Sequence, residues 1–565
     1  MSGPPPVEAR MLSLYLARRP FSAAQLGDGL FDGGLPPVGA DRAADLVAGL
    51  DGVRRELAES LADRGDGAAG SPDDRLTARL MHEIAGDEIA ALRAGWDRFT
   101  VAPLPEAGLA SALLTFLPYA SIASEHDGEL FARACAGIAD TLGTATRELA
   151  AGRAAGQLPV ARLVRRSIDQ IDAYLAGPVA GDRFLAAVAE MPRSLRERVR
   201  HLVAEQIRPA FAAYRDDLAG TVVDSARGDD TPGLAFVPGG ERIYADAIRC
   251  HTTLPISADE AHRIGLQQVG RWREEAAGIA ESLGWTADFD ATRDRLRTDR
   301  TLFFRTGAEI EQAAGTALRR AEQATPTWIG PLPAATCEVL AMDPVESPHG
   351  VLGHYETAPL DRHRPARYWV NVADPVTRPR YEAEALAFHE SVPGHHLQIG
   401  HSQERPSPSR FRQVVEILPY TEGWALYAEG LADEMGLYSG PVDRLGMASF
   451  ALWRACRLVV DTGLHAEGWS RRRAVDYLWR NTMLTAANID NEVDRYIAHP
   501  GSALGYLLGR LTIERLKAAV TPAGANPVQQ RAFHRRLLDA GPLTMGLLTE
   551  YLAGPHTDPG GRVAI

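Results

Sequence analysis

This sequence predicts a mainly α-helical protein with one small β element, on three observations. Apolar residues recur at three- and four-residue steps over most of the chain, the spacing of one buried helix face. Stretches rich in branched and aromatic residues between proline-containing loops, the mark of strands, are confined to two short segments. Hydrophobic residues make up 45% and charged residues 24%, which excludes a mainly disordered, collagen-like or coiled-coil chain. With 565 residues the chain exceeds what one core usually holds, so more than one lobe is expected.

Up to about Arg227 the pattern is almost wholly helical. Helices are expected over 40–64, 74–96, 128–152 and 194–226, the last kinked at Pro209, whose ring removes a donor and crowds the preceding turn. Loop chemistry clusters at 65–72, 101–105 and 228–240. The last of these divides the chain into an N-terminal helical lobe, 1–232, and a second region, 233–565. Residues 107–124 carry no charge over nearly the length of a membrane span, but Gly108, Ser111, Thr115, Pro118 and Ser121 interrupt them, and the segment reads as a buried wall. Ser257 and Glu260 have the spacing of a reciprocal helix cap. The two strand candidates, 336–342 and 367–372, could each offer a sheet edge. From Tyr381 onward the pattern is helical again.

Lys plus Arg number 60 against 73 Asp plus Glu, a net charge of −13, which argues against a nucleic-acid backbone as partner. Arg471, Arg472 and Arg473 read as a solvated helix face. Cys135, Cys250, Cys337 and Cys456 are far apart and form no CxxC pair, so they read as small buried hydrophobes rather than a disulfide or zinc framework. The N-terminus lacks the features of an export signal, and a cytoplasmic protein without membrane contact is expected. Gly65, Gly67 and Gly70 match GxGxxG but follow a helix where a dinucleotide site needs a strand. Neither a nucleophile elbow nor a P-loop occurs.

Chemistry concentrates at Phe388-His389-Glu390-Ser391-Val392-Pro393-Gly394-His395-His396. Two imidazoles that share a zinc ion must bring nitrogens to about 2 Å from one point. On a straight helix His389 and His395 lie on different faces, and His396 lies about 10 Å along the axis from His389, so neither pair chelates. Pro393 cannot donate to the carbonyl of His389 and clashes with it, while Gly394 tolerates unusual dihedrals. The helix must therefore bulge or break. A bulge would let His395 serve as the second imidazole, with Glu390 beside the first facing a metal-bound water. The bland alternative is a Pro-Gly turn whose histidines merely hydrogen-bond.

A second segment, Tyr420-Thr421-Glu422-Gly423-Trp424-Ala425-Leu426-Tyr427-Ala428-Glu429, sets Glu422 and Glu429 seven apart on one helix face. That face also carries apolar Ala425 and Leu426, so both carboxylates could turn inward, Glu422 as third ligand and Glu429 holding a ligand histidine from behind. Two solvated glutamates are the alternative.

Together these segments resemble the bacterial domain of unknown function family 885, whose hallmark looks like HExxPGHH followed by a TEGWALYxE helix. The resemblance runs from about Gly233 to Tyr551. It includes Pro238-Gly239-Gly240 with Tyr244, His251-Thr252-Thr253, Arg364-Pro365 through Asn371, Arg457 through His465, and Arg495-Tyr496-Ile497 with Pro500-Gly501 and Tyr506. That family is similar in turn to helical zinc peptidases of the thimet oligopeptidase and angiotensin-converting enzyme type. The resemblance implies a zincin-like fold of two helical lobes around a channel, with His389, His395 and Glu422 as zinc ligands, Glu390 as general base and Tyr506 facing the transition-state oxygen. Ala366, Ser502 and Leu507 depart from the family pattern, the last two close to Tyr506, where substrate preference would be set.

The expected chemistry is zinc-dependent hydrolysis of amide bonds in short peptides. A zinc hydrolase of some other amide or peptidyl metabolite, and a helical binding protein without catalysis, are the competing readings. Arg457, Asp461 and His465 recur every four residues as a polar stripe amid Leu458, Val459 and Val460. The stripe is either an internal ion-pair network or a presentation of Arg457 or His465 to a substrate carboxylate. His396, Tyr496 and His499 are further candidates around the site. The strand 367–372 could hold an extended peptide by backbone pairing, or form a simple hairpin.

Overall fold

Helix follows helix in a computed structural model that describes residues 6–27, 29–62, 71–342, 352–360, 364–405 and 409–553. Gly65, Gly67 and Gly70 lie outside the described residues. Helix Ala40–Ala62 packs along Pro72–Arg93, which starts where Ser71 and Asp74 cap each other and Pro72 fills the first turn. Leu50, Leu80 and Ile84 of this pair belong to the same apolar core as Tyr420, Trp424 and Leu458 far along the chain.

A second core gathers Phe131, Ile138, Val164, Phe184, Val199 and Phe211 from helices Glu125–Ala154, Ala161–Ala176, Arg193–Leu202 and Arg208–Asp217 and the short helix Arg183–Ala187. Around Pro209 the chain stays helical. Two π turns, Val203–Ile207 and Leu218–Val222, interrupt the run on either side, and such turns relax the ladder that a proline breaks. The uncharged segment 107–124 forms a short helix, Leu109–Thr115, and a 3-10 turn, Leu117–Tyr119; Ala110 to Leu114 and Leu117 are buried, whereas Tyr119 is exposed.

Three strands form one small sheet: β1 (Cys337–Ala341), β2 (Gly353–Glu356) and β3 (Ala366–Val370), in the order β1-β3-β2. β1 runs parallel to β3 with Val339 opposite Tyr368; β2 runs antiparallel with Tyr355 opposite Tyr368. Strand β2 carries no branched residue, which is why periodicity did not reveal it. Its presence corrects the expectation for 367–372: β3 is central, paired on both sides, and has no edge to offer a peptide. Tyr368 and Val370 pack with Phe388 and Val392 in a third apolar cluster beneath the sheet, so the sheet is fixed to the helix that carries His389.

Helix Leu418–Glu434 lies against Ser502–Val520 at very short range. A Cβ on Gly423 would meet the carbonyl carbon of Gly509 at 2.6 Å, and one on Gly509 would meet the Pro419 carbonyl oxygen at 2.1 Å. Only glycine permits this approach, which brings the helix of Glu422 to that of Tyr506. Arg471 corrects another expectation, because it is 8% exposed rather than solvated and bonds Asp494 and Asp490. Among the described residues no helix is long and apolar enough to cross a membrane.

A candidate metal centre

Helix Ala383–Glu390 stops where Pro393 forbids its continuation, and His395–Glu404 starts a new helix two residues later. The break, not a bulge, swings His395 toward His389. Gly394 makes it possible: a Cβ there would lie 1.9 Å from the carbonyl oxygen of His389 and 2.5 Å from that of Phe388. The backbone folds back on the preceding turn so tightly that no side chain fits.

Glu422 completes the arrangement from the next helix. Ligand atoms of His389, His395 and Glu422 all lie within 4.8 Å of one another. Glu422 Oε2 is 3.4 Å from His389 Nε2 and 3.6 Å from His395 Nε2, and the two imidazole planes stand at 83°. Oε2 is buried and has no hydrogen-bond partner among the described residues. Buried carboxylate oxygens are almost always satisfied, so two imidazole nitrogens converging on an orphaned one fit the donor set of a divalent zinc ion. The three side chains are those that the sequence singled out.

Behind His389 stands Glu429, wholly buried, with Oε1 2.8 Å from Nδ1. This contact sets the tautomer that leaves Nε2 free. Burial disfavours the His389 cation, but the neighbouring carboxylates of Glu422 and Glu429 outweigh it and hold the group up at about 9. Burial takes His395 down to about 4, while Glu422, despite burial, is held down at about 2 by the two imidazoles. Burial lifts Glu390 to about 7, against the smaller opposing influence of the charge on His389 and of the Tyr355 backbone.

His396 is not part of the convergent group. Its Nδ1 lies 3.3 Å from the Tyr355 hydroxyl, and burial takes its pKa down to about 4. Tyr506 is 8% exposed; its hydroxyl accepts from Arg495 at 3.1 Å, and burial and the charge of Glu422 raise its pKa. Tyr496 is buried, with its hydroxyl accepting from Trp453 and Arg457. His499 packs edge-on against His251 at 4.9 Å.

The stripe divides among separate partners. Arg457 meets Glu492 at 3.1 Å. Asp461 accepts from the Tyr244 hydroxyl and the Gly501 N–H, and burial pushes it up to about 7. His465 has both ring nitrogens engaged, by the Leu234 N–H and the Tyr496 carbonyl, so it has no donor left for a substrate.

Comparison with known proteins fits this chain into a group. The family described as bacterial protein of unknown function (DUF885) matches residues 20–552. The chain belongs to DUF885. No curated protein matches. Two solved structures of similar shape come from proteins provisionally named lipoproteins. That from Colwellia psychrerythraea has a TM-score of 0.86 and 22% identity, covering 97% of this chain and 98% of its own. That from Shewanella oneidensis has a TM-score of 0.73 and 15% identity, covering 97% and 99%. At such identities the likeness concerns the fold.

In this DUF885 member three residues near the centre, Tyr355, Arg454 and Glu492, escaped the sequence reading, and a fourth, Arg495, entered it only as part of a motif. Tyr355 sits on the unforeseen strand β2, and its ring stacks on that of His395 at 6.3 Å. Arg454 lies three residues before Arg457, off the four-residue step of the stripe, which leads back to Trp453. Arg495 adjoins Tyr496, and Glu492 precedes it by one turn. Two surface clefts, of about 630 Å³ beside Trp469 and about 590 Å³ beside Trp272, are lined by other residues than the three convergent ones.

Proposed function

We propose that this protein is a zinc-dependent hydrolase that cleaves amide bonds in short peptides. The observation that carries the reading is the orphaned, buried Glu422 Oε2 facing the Nε2 atoms of His389 and His395. His389, His395 and Glu422 would hold the ion. When bound, zinc supplies a Lewis acid that polarises a carbonyl and lowers the pKa of water toward neutral.

The remaining roles belong to the chain's own side chains. Glu429 orients His389 through Nδ1. Glu390 takes a proton from the attacking water and delivers it to the leaving amine. Tyr506 accepts a hydrogen bond from Arg495, which leaves its own proton free to donate to the oxygen that gains charge in the transition state.

A zincin-like arrangement of two lobes, 1–232 and 233–565, around a channel that admits small or unfolded substrates belongs to the same proposal. So does a cytoplasmic setting without nucleic-acid or membrane partners, with four free cysteines in its favour.

Zinc quantification combined with a peptide-library digest of wild type and Glu390→Gln tests the reading. One equivalent of zinc in both proteins, with cleavage products from wild type alone, is the expected result. Cleavage that persists in Glu390→Gln, or a wild type that takes up no zinc, would overturn it. Activity confined to an amide outside peptides would transfer the same chemistry to a metabolite.

A further inference from the structure

Three guanidinium groups crowd the surroundings of Tyr506. Arg457 is 2% exposed and lies with its carbon 4.5 Å from the Tyr506 ring centre and 4.3 Å from that of Trp453. Arg495 bonds the Tyr506 hydroxyl. Arg454, one turn before Arg457 and 4% exposed, is near enough to Tyr506 and Glu422 for their charges to act on it.

Several carboxylates, Glu382, Glu390 and Glu422 among them, act on Arg454 through charge, but few bond these guanidinium groups directly. Glu492 serves both Arg457, at 3.1 Å, and Arg495, at 3.7 Å, and also accepts from Trp453. Arg454 has Glu429 at 3.8 Å, a carboxylate already committed to His389. Glu106, exposed, adds only a distant charge toward Arg495. Among the described residues Arg457 Nη1 and Arg454 Nε are buried without a hydrogen-bond partner. Orphaned donors on buried cations are costly, and a planar guanidinium fork matches a carboxylate in geometry and charge.

We infer that this cluster receives a carboxylate of the substrate, with Arg457 and Arg495 as its binding residues beside Tyr506. Arg495, with a side chain 27% exposed, offers the approach from solvent, and Arg457 lies deeper. This rests on the proposed reading only in placing Tyr506 at the reacting bond; it narrows the substrates to peptides whose scissile bond lies a short, fixed distance from a carboxylate. The carboxylate is either the peptide's C-terminus or an acidic side chain, and the chemistry of recognition is the same.

Binding tests this apart from catalysis. Calorimetric titrations would use zinc-stripped wild type, Arg495→Gln and Arg457→Lys, with acetyl-Ala-Ala as free acid, its C-terminal amide, and acetyl-Ala-Glu amide. Wild type is expected to bind at least one acid about tenfold or more tighter than the neutral amide, and both variants to lose that preference. A preference for the free acid alone assigns the site to the C-terminus; equal gains from both acids extend it to side chains. Equal affinity for acids and amide in wild type, or a preference that survives in both folded variants, overturns the inference. Circular dichroism and retained affinity for the neutral amide establish that the variants are folded. Should the acids bind selectively while no peptide is hydrolysed, the carboxylate site stands and the hydrolase reading falls.

Discussion

Trp424 donates its indole N–H to the carbonyl of Pro393 at 2.9 Å. The helix that carries Glu422 and Glu429 is thereby tied to the break that turns His395 back toward His389. Trp424 is fully buried, so this bond is shielded from water and, together with the one from Gln398 Nε2 to the Tyr420 carbonyl, holds the two segments in register. Trp424→Phe keeps the apolar packing and removes the donor, leaving a carbonyl unpaired. A loss of about 1–3 kcal/mol of stability is expected, together with weaker zinc retention, read by denaturant titration and by chelator competition. Unchanged zinc affinity would mean that the break holds its shape unaided.

Removing a ligand should differ in kind from removing its support. His389→Ala and Glu422→Ala are expected to lose the full equivalent of zinc by elemental analysis. Glu429→Gln keeps a hydrogen-bonding group against His389 Nδ1, so it should retain zinc with affinity lowered roughly 10–100-fold. Full zinc occupancy in either alanine variant rules out this ligand set.

Tyr506→Phe deletes one hydroxyl on a helix packed against that of Glu422. If that hydroxyl donates to the developing oxyanion, kcat falls roughly 10²–10³-fold while KM changes little. Steady-state kinetics on any cleaved peptide decides it, and an unaltered kcat removes Tyr506 from the reaction.

Asp461 gives a pH signature of stability. Burial raises its folded pKa to about 7, above the roughly 3.9 of an unfolded chain. The contribution is therefore complete below the unfolded value and is lost as pH rises through about 7. Between pH 5.5 and 8 wild type should lose about 2 kcal/mol on this account. Asp461→Asn lacks the titration, so its stability relative to wild type should improve over that interval. Parallel stability curves for the two proteins would show that Asp461 keeps an ordinary pKa.

The spacing of residues already contained much of the site. Pro393 and Gly394 made a straight helix through His389 and His395 impossible, and the seven-residue separation of Glu422 and Glu429 placed both on one face. Both inferences use local backbone geometry, which depends on residues close in sequence. Strand β2, by contrast, carries Gly353, His354, Tyr355 and Glu356, none with a branched apolar side chain, and exists because β3 offers it a partner; no local signal announces such a strand. Its pairing turned β3 from a possible edge into the middle of the sheet.

What the sequence determined by itself, then, was the helical class, the interruption after Glu390 and the residue types able to bind a cation, all consequences of short-range sterics and periodicity. Only the tertiary structure decided which of the neighbouring histidines joins the cluster, how the polar stripe is shared among Glu492, Tyr244 and Leu234, and that Arg454 and Arg457 keep unpaired donors near Tyr506. Those outcomes depend on helices packed from distant parts of the chain, where close approach, as at Gly423 and Gly509, and the need to satisfy buried polar groups select one arrangement among many that the sequence pattern allows.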